Sequence, residues 1–453
     1  MGSDPKRCAP GPVGHWLLGH LREFRRDALG LLLQSVRTWG DVVRFRLGPR
    51  IVHLLNHPDH VEHVLQRNHG NFDKNTRSSA FIRAVTGTSL LTACGQFWQR
   101  DRRMLQPSFH GQTIARFAGQ ITAATSAMMT SWRAHAKHGQ PLDVASEMMR
   151  LTYTVAARTF FNTDPGSDAE TIERAMRVIL PHTWRRIGSL LNSPGWFPTR
   201  SNRRFRKALR DVDHVVYRII AQHRRNLAAG QPDADVLALL LEARDPETGA
   251  CFNDRQLRNE TITFLLAGHE TTANALTWTL YLVSQHPIVE RDLRDEVNAV
   301  LGGRVPTVDD LPKLVLTRMV LKEAMRLYPP VWIVERRVLA PDVVGGFPVP
   351  GGSAVVIAPY ALHRHPAFWE RPEEFEPGRF ANRVPQAYLP FGAGPRFCIG
   401  SEFALLEAPL VLAMVVQAFR LRLAPGQQVE PLPGITLRAR HGLRMTLADP
   451  RWP

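Results

Sequence analysis

The clearest chemical signal is a glycine-rich loop, residues 391–400, that carries one cysteine, Cys398. Glycines let the backbone approach a bulky partner closely. The helical stretch that follows begins at Ser401, and the free N–H groups of a helix start favour a thiolate over a thiol. A cysteine held in this way is suited to ligate a metal ion. A structural turn with an incidental cysteine does not account for all ten positions.

Position by position, this loop resembles the FxxGxRxCxG haem-binding loop of the cytochrome P450 monooxygenases. The resemblance implies that heme b (iron protoporphyrin IX) is bound and that Cys398 is the thiolate ligand of its iron. It implies that backbone N–H groups beside Gly400 tune the basicity of the sulfur. It further implies that Phe391 packs against the cysteine and that Arg396 pairs with a haem propionate.

A second signal lies in a long helix that is expected to start at Asp254, as its N-cap, and to stop before Pro287. The middle third is apolar almost all round, which is typical of a helix buried on every side. Residues 267–272 interrupt it with polar groups, and burying such groups costs free energy. Either these side chains face a neighbouring loop or they take part in chemistry.

Residues 267–272 resemble the oxygen-activation segment, (A/G)Gx(D/E)T(T/S), of the same family. The resemblance implies that Ala267 and Gly268 leave room for dioxygen above the iron. It implies that Thr271 orients a hydrogen-bonded water and that Glu270 connects this proton relay to solvent. Because the cysteine loop is present in the same chain, we favour this interpretation over a polar helix face.

Further positions resemble the family's haem-side elements. Glu323, Arg326 and Arg379 resemble a buried ion-pair network, to which we assign a structural role. One more propionate arginine is expected where Arg336 and Arg337 stand, and counting back from Asp342 favours Arg337. The remaining haem contacts implied by the resemblance are Trp98, Arg102 and His363.

A mainly helical fold must position these residues. Val42–Leu47 and residues 51–55 are β-rich and predict a hairpin, a second β-rich region covers residues 338–357, and helical periodicity fills most of residues 58–327. If the two β-rich regions pair, segments about 300 residues apart meet, and residues 1–453 form a single domain. The resemblance implies the P450 fold, mainly α with minor β sheets, with haem between the long central helix and the helix after the cysteine loop.

Composition excludes other classes of protein. With 44% apolar and 22% charged residues, the chain is neither a disordered polymer nor a fibre. Its net charge is 57 − 41 = +16, but the arginines are scattered, which favours a basic surface over nucleic-acid binding. The four cysteines form no CxxC pair, the start of the chain lacks the apolar run of a signal peptide, and no uncharged apolar segment approaches ~18–20 residues. These features predict a cytoplasmic protein without a membrane span.

The sequence therefore predicts a haem-thiolate monooxygenase that inserts one oxygen atom from O₂ into a hydrophobic small molecule, by hydroxylation or epoxidation. A terpenoid or another secondary metabolite is favoured as substrate. The alternatives are a fatty-acid or steroid hydroxylase, a peroxide-driven peroxygenase of the same fold, and a non-catalytic haem-binding or nucleic-acid-binding protein. No flavin or dinucleotide module is evident, so electrons are expected from NAD(P)H through a ferredoxin reductase and a ferredoxin. The protein is expected to be a monomer. By resemblance, substrate contacts come from residues 71–97, 180–198, 264–275, 331–335 and 433–436.

Overall fold

The computed structural model of the protein describes residues 8–162, 166–189, 192–231 and 235–448. The two ends of the predicted domain 1–453 and residues 190–191 of a predicted substrate stretch lie outside the described residues. Over the described part, the chain is mainly helical with small sheets, as the sequence predicts.

Helices make up most of the described chain. In chain order they are α1 Leu21–Arg26, α2 Ala28–Trp39, α3 Pro58–Glu62, α4 Arg77–Thr86, α5 Gly95–Leu105, α6 Gly111–Ala115, α7 Ala118–Lys137, α8 Val144–Phe161, α9 Gly166–Ile187, α10 Arg200–Ala228, α11 Val236–Glu242, α12 Asp254–Gln285, α13 Pro287–Leu301, α14 Val315–Leu327, α15 Pro359–Leu362 and α16 Ser401–Ala418.

The strands form small sheets. In chain order they are β1 Val42–Leu47, β2 Arg50–Leu55, β3 Phe72–Asp73, β4 Leu142–Asp143, β5 Val334–Val338, β6 Asp342–Val344, β7 Phe347–Val349, β8 Ala354–Ile357, β9 Arg420–Leu423, β10 Pro431–Pro433, β11 Leu437–Ala439 and β12 Arg444–Ala448. The largest sheet has the order β1-β2-β8-β5-β3, and the smaller sheets are β10-β11, β4-β12-β9 and β6-β7.

The largest sheet joins the two β-rich regions. Strands β1 and β2 form the predicted hairpin, and β2 then runs parallel to β8, with Val52 opposite Ala354. Segments about 300 residues apart therefore meet, which confirms the predicted pairing. At the far edge, β3 pairs with β5 and places Asp73 opposite Arg337. This pairing carries Lys74, the residue after β3, to the side of β5.

The central helix α12 runs unbroken from Asp254 to Gln285, close to the predicted bounds. Its N-cap is Asn253 rather than the predicted Asp254. The Asn253 side chain accepts a bond from the N–H of Gln256 at 2.9 Å, and the Gln256 side chain accepts one from the N–H of Asn253 at 3.0 Å. This reciprocal pair is a capping box, which needs a glutamine or glutamate three residues after the cap. Most of α12 is buried, as its apolar pattern predicts.

Helix α16 follows the cysteine loop and packs against α7, α12 and α13 in the main core. Of the described helices, it is the one long and apolar enough to cross a membrane by length and composition. However, 72% of that stretch is buried inside the protein, as in the core helix of a folded domain. Helices α12 and α16 are therefore the two buried helices that frame the predicted haem site.

Candidate active site

The loop before α16 is shaped by a glycine that no other residue can replace without strain. Gly394 has φ +69°, and a Cβ there would lie 1.9 Å from the backbone oxygen of Leu65. The N–H of Cys398 donates to the carbonyl of Phe391 at 3.0 Å and closes the loop. The ring centres of Phe391 and Phe397 lie 6.3 Å apart. The cysteine is thereby fixed directly before the helix.

Opposing effects act on the pKa of the Cys398 thiol. Burial raises its pKa, while the backbone N–H of Gly400 and the nearby cations Arg102 and Lys74 lower it, and burial has the largest effect. The expected thiolate at the helix start is therefore not stabilised by the protein alone. Cys398 nevertheless carries exposed surface. A bound metal ion would deprotonate a thiol in that position outright.

Three cations cluster beside this loop. Burial, followed by the charges of Arg336 and Arg396, lowers the pKa of Lys74 to about 7. Burial likewise lowers the pKa of Arg336 to about 10 and that of Arg396 to about 10. The sequence prediction missed Lys74, a single lysine after a two-residue strand, because only the β3–β5 pairing brings it here.

The cluster fits the two propionates of haem. Buried cations are costly unless they are paired. Asp73 is the carboxylate whose charge reaches both Arg336 and Arg396, and the buried Nη1 of Arg396 has no hydrogen-bond partner among the described residues. The cations therefore outnumber the carboxylates, and two further anionic groups would balance them.

Strand alternation places Arg336, rather than the predicted Arg337, in this cluster. Arg336 is buried, whereas the side chain of Arg337 is 43% exposed and lies 3.7 Å from Asp73. Neighbouring residues on a strand point to opposite faces, so a count that is wrong by one position selects the wrong arginine. We therefore replace Arg337 by Arg336 as the candidate propionate ligand.

Trp98 and Arg102, on α5, both lie against the cysteine loop. The guanidinium of Arg396 lies 3.9 Å from the centre of the Trp98 ring, a cation–π contact that orients it. Arg102 donates to the carbonyl of Phe397 at 3.0 Å. Arg396 in turn donates to the carbonyl of Ala93 at 2.8 Å. Helix α5 is thus joined to the two residues that directly precede the cysteine.

The predicted ion-pair network is present, and Glu323 and Arg326 within it are fully buried. Arg326 donates to both oxygens of Glu323, at 2.7 and 2.9 Å, and Arg379 donates to Glu323 at 3.0 Å. The remaining donors of Arg326 reach the backbone carbonyls of His363, Pro372 and Glu374. Helix α14 is thereby tied to the chain that leads toward the cysteine loop.

His363 belongs to this network and does not border the cavity, so its predicted haem contact is not supported. Its ring Nδ1 lies 3.2 Å from the carbonyl of Arg326, and its Nε2 accepts the N–H of Leu389 at 2.8 Å. Burial lowers the pKa of His363 to about 3, so the ring is neutral. Both ring nitrogens of His363 are hydrogen-bonded and the side chain has no exposed surface. The ring therefore links the backbone at Arg326 to the backbone at Leu389.

The opposite side of the site is a large cavity along α12. Its volume is about 2070 Å³, and it is bordered by Ala267, Glu270 and Thr271 as well as by Lys74 and Arg336. Ala267 is exposed in the middle of an otherwise buried helix because it faces this space. The hydroxyl of Thr271 donates to the carbonyl of Ala267, one helical turn earlier, at 2.6 Å.

Gly268 does not border the cavity, so its expected role in leaving room for dioxygen is not supported. A Cβ at this position would lie 3.0 Å from the ring of Phe160 on α8. The missing side chain therefore lets α8 pack closely onto α12. Ala267, one residue earlier, is the small residue that faces the cavity.

Glu270 is buried in the helix but borders the cavity, and its connection of the relay to solvent stays a prediction. The hydroxyl of Thr436 donates to Oε1 of Glu270 at 2.6 Å, and the amide of Asn274 donates to the same hydroxyl at 3.0 Å. Glu270, Asn274 and Thr436 are all at least 95% buried. The carboxylate is thus held at the cavity wall by the turn between β10 and β11.

Sequence comparisons extend over nearly the whole chain. The cytochrome P450 family model matches residues 9–441. Cyclooctatin synthase of Streptomyces melanosporofaciens is 38% identical, with 98% of this chain and 96% of that protein covered. Cyclooctat-9-en-7-ol 5-monooxygenase of the same organism is 38% identical, with 92% and 90% covered. Pentalenene oxygenase of Streptomyces avermitilis is 32% identical, with 97% and 96% covered.

Proposed function

The chain belongs to the cytochrome P450 family, and from that membership we propose a substrate class, an electron donor and a set of site residues for it. As a family member it is a haem monooxygenase that acts on a hydrophobic molecule and takes electrons from NAD(P)H through redox partners. We propose that the substrate is a terpenoid, a cyclic isoprenoid hydrocarbon or its alcohol. The cyclooctatin and pentalenene enzymes among the relatives support this class.

The apolar cavity is the observation that carries the proposal. Apolar side chains from all five predicted substrate stretches border it: Ile82, Leu91, Leu180, Leu266, Val331, Ile333 and Ile435. A pocket of this kind selects mainly by shape and by burial of apolar surface. At about 2070 Å³, it has room for a multi-ring hydrocarbon beside the cofactor.

We assign the haem to the space between the cysteine loop and α12. Cys398 would hold the iron, and Lys74, Arg336, Arg396, Trp98 and Arg102 would hold the propionates. When bound, haem supplies the activation of dioxygen and the transfer of one oxygen atom to the substrate. Ala267 leaves space at the reacting face, and Thr271 with Glu270 holds and moves protons there.

Binding of candidate substrates tests the proposal directly. The purified holoenzyme is titrated with cyclic terpenes and terpene alcohols and, as matched controls, with fatty acids and steroids of similar apolar area. We expect a change in the spin state of the haem with the terpenoids at lower concentrations than with the controls. A response to fatty acids or steroids alone would overturn the terpenoid assignment.

The thiolate assignment has its own test. Cys398→Ser is expected to abolish the red-shifted spectrum of the carbon monoxide complex of the ferrous protein, because that spectrum requires a thiolate ligand. Cys94→Ser, a change of the same kind near the cation cluster, should retain it. Retention of the spectrum in the Cys398 variant would remove this residue from the iron.

We propose a ferredoxin, reduced by a ferredoxin reductase, as the electron donor. Arg116, directly after α6, is exposed, and Arg102 of α5 contacts the cysteine loop. These cations would attract an acidic ferredoxin and speed its association at low salt. The rate of reduction by ferredoxin should therefore fall as ionic strength rises. A rate that is independent of salt would refute this docking mode.

We also propose that residues 1–453 act as one domain and one monomer in the cytoplasm. The parallel pairing of β2 with β8 supports the single domain, because neither half of the largest sheet is complete without the other. Light scattering of the purified protein measures the mass, and a dimer would overturn this part.

A further inference from the structure

We propose that Thr436 is a positioning residue for proton delivery, holding Glu270 so that its second oxygen serves the cavity. The inference rests on the proposed function of Glu270 and Thr271 in the monooxygenase. It adds a residue outside α12, from the turn between β10 and β11, to the proton-handling group.

The direction of the hydrogen bonds is fixed by counting hydrogens. The side-chain nitrogen Nδ2 of Asn274 can only donate, and it lies 3.0 Å from the Thr436 hydroxyl oxygen. That hydroxyl has one hydrogen, which it donates to Oε1 of Glu270 at 2.6 Å. The chain Asn274 to Thr436 to Glu270 therefore ends on a carboxylate acceptor. Bonds to charged groups are the strong ones, so this contact selects one orientation of Glu270.

The turn that carries Thr436 is itself anchored. The indole N–H of Trp332 donates to the carbonyl of Gly434 at 2.9 Å, and that of Trp278 donates to the carbonyl of Leu437 at 3.1 Å. The N–H of Leu437 donates to the carbonyl of Pro330 at 2.9 Å. The backbone is thus hydrogen-bonded at Gly434 and Leu437, on both sides of Thr436. These bonds hold the Thr436 hydroxyl at one position along α12.

The two oxygens of Glu270 consequently have different tasks. Oε1 is committed to Thr436. Glu270 and Thr271 both border the cavity, and the Thr271 hydroxyl remains able to accept a bond because its hydrogen goes to Ala267. A proton on Oε2, passed directly or through one water, would then reach the Thr271 side of the cavity. Without Thr436, Glu270 can rotate away from this arrangement.

The test compares Thr436→Val, which keeps the shape and removes the hydroxyl, with Thr436→Ser, which restores it. In the valine variant, product formed per NAD(P)H should fall about fivefold, with hydrogen peroxide making up the difference, and the solvent deuterium isotope effect on turnover should rise. The serine variant should return both values toward the wild type. Thr279→Val is the matched control, because it removes a buried hydroxyl of α12 that bonds only its own helix.

Two further measurements separate positioning from loss of packing. Adding Thr436→Val to Glu270→Gln should leave the isotope effect of the single Glu270 variant unchanged, because Thr436 acts through that carboxylate. The infrared carboxylate band assigned to Glu270 should shift in Thr436→Val without any substrate present. Because this band is measured without substrate, it tests the role of Thr436 even if the substrate is not a terpenoid. An unchanged band, or an unchanged isotope effect in Thr436→Val, would overturn the inference.

Discussion

Replacing Arg326 by methionine is expected to lower the free energy of unfolding by about 3 to 5 kcal/mol, the range for breaking a buried ion pair. Arg326 is fully buried and donates to both oxygens of Glu323. Methionine fills a comparable volume but donates no hydrogen bond. The three backbone carbonyls that Arg326 serves lose a donor at the same time: they belong to His363, Pro372 and Glu374.

The remaining partners of Glu323 limit the loss without cancelling it. The carboxylate keeps Arg379 at 3.0 Å and the N–H of Glu376 at 2.9 Å, so it stays partly paired. Its Oε2, which Arg326 contacts at 2.7 Å, keeps no hydrogen bond of those that the structure describes. Because a domain is stabilised by only about 5 to 15 kcal/mol in total, a loss of this size removes a large part of the stability.

The assay is urea denaturation followed by far-ultraviolet circular dichroism, at equal haem content. The control is Arg67→Met, which removes an equally bidentate pair, Arg67 with Glu62 at 2.9 and 2.7 Å, from the surface. Surface pairs are screened by water, so the control should be indistinguishable from the wild type. If the Arg326 variant also unfolded at the wild-type urea concentration, the argument from burial would be refuted.

Three shorter predictions concern the loop, the relay and a buried acid. Thr271→Ala should divert NAD(P)H consumption from product to hydrogen peroxide, and unchanged coupling would remove Thr271 from the relay. Gly394→Ala should reduce haem incorporation, measured by absorbance per protein, because its Cβ would meet the backbone of Leu65; full incorporation would contradict this. Burial raises the pKa of Glu260 from 4.5 to about 8, so its protonated form stabilises the fold at low pH and this contribution is lost as pH rises to about 8. The free energy of unfolding of the wild type should fall by up to about 5 kcal/mol over that pH range, whereas that of Glu260→Gln should not. A variant with the pH profile of the wild type would refute this prediction.

The features that the sequence predicts well are local ones. The cysteine loop is one run of ten residues, and Glu323 and Arg326 are three positions apart, so each is a short motif whose resemblance to the family can be seen in the sequence. The long apolar run and Pro287 likewise predict α12 almost to its ends, because burial and proline act on the chain locally.

The features that the sequence does not predict depend on which distant segment packs against a residue. Lys74 joins the cation cluster only through the pairing of β3 with β5. The choice between Arg336 and Arg337 depends on a strand register that a count along the chain misses by one. Gly268 is a packing glycine because Phe160 of α8 lies against it. Composition and spacing along the chain do not indicate such contacts.

The parallel pairing of β2 with β8 also sets the order in which the newly made chain can mature. Val52 must wait for Ala354, and at about 5 to 20 residues per second the ribosome needs roughly 15 to 60 s to make the intervening chain. Throughout that time one edge of β2 has no strand beside it and is open to wrong partners. The cation cluster waits equally long, since Arg336 is made late. A nascent chain therefore cannot bind its cofactor until most of the chain has left the ribosome. Chaperones that act during synthesis are expected to bind mainly at the β1–β2 hairpin.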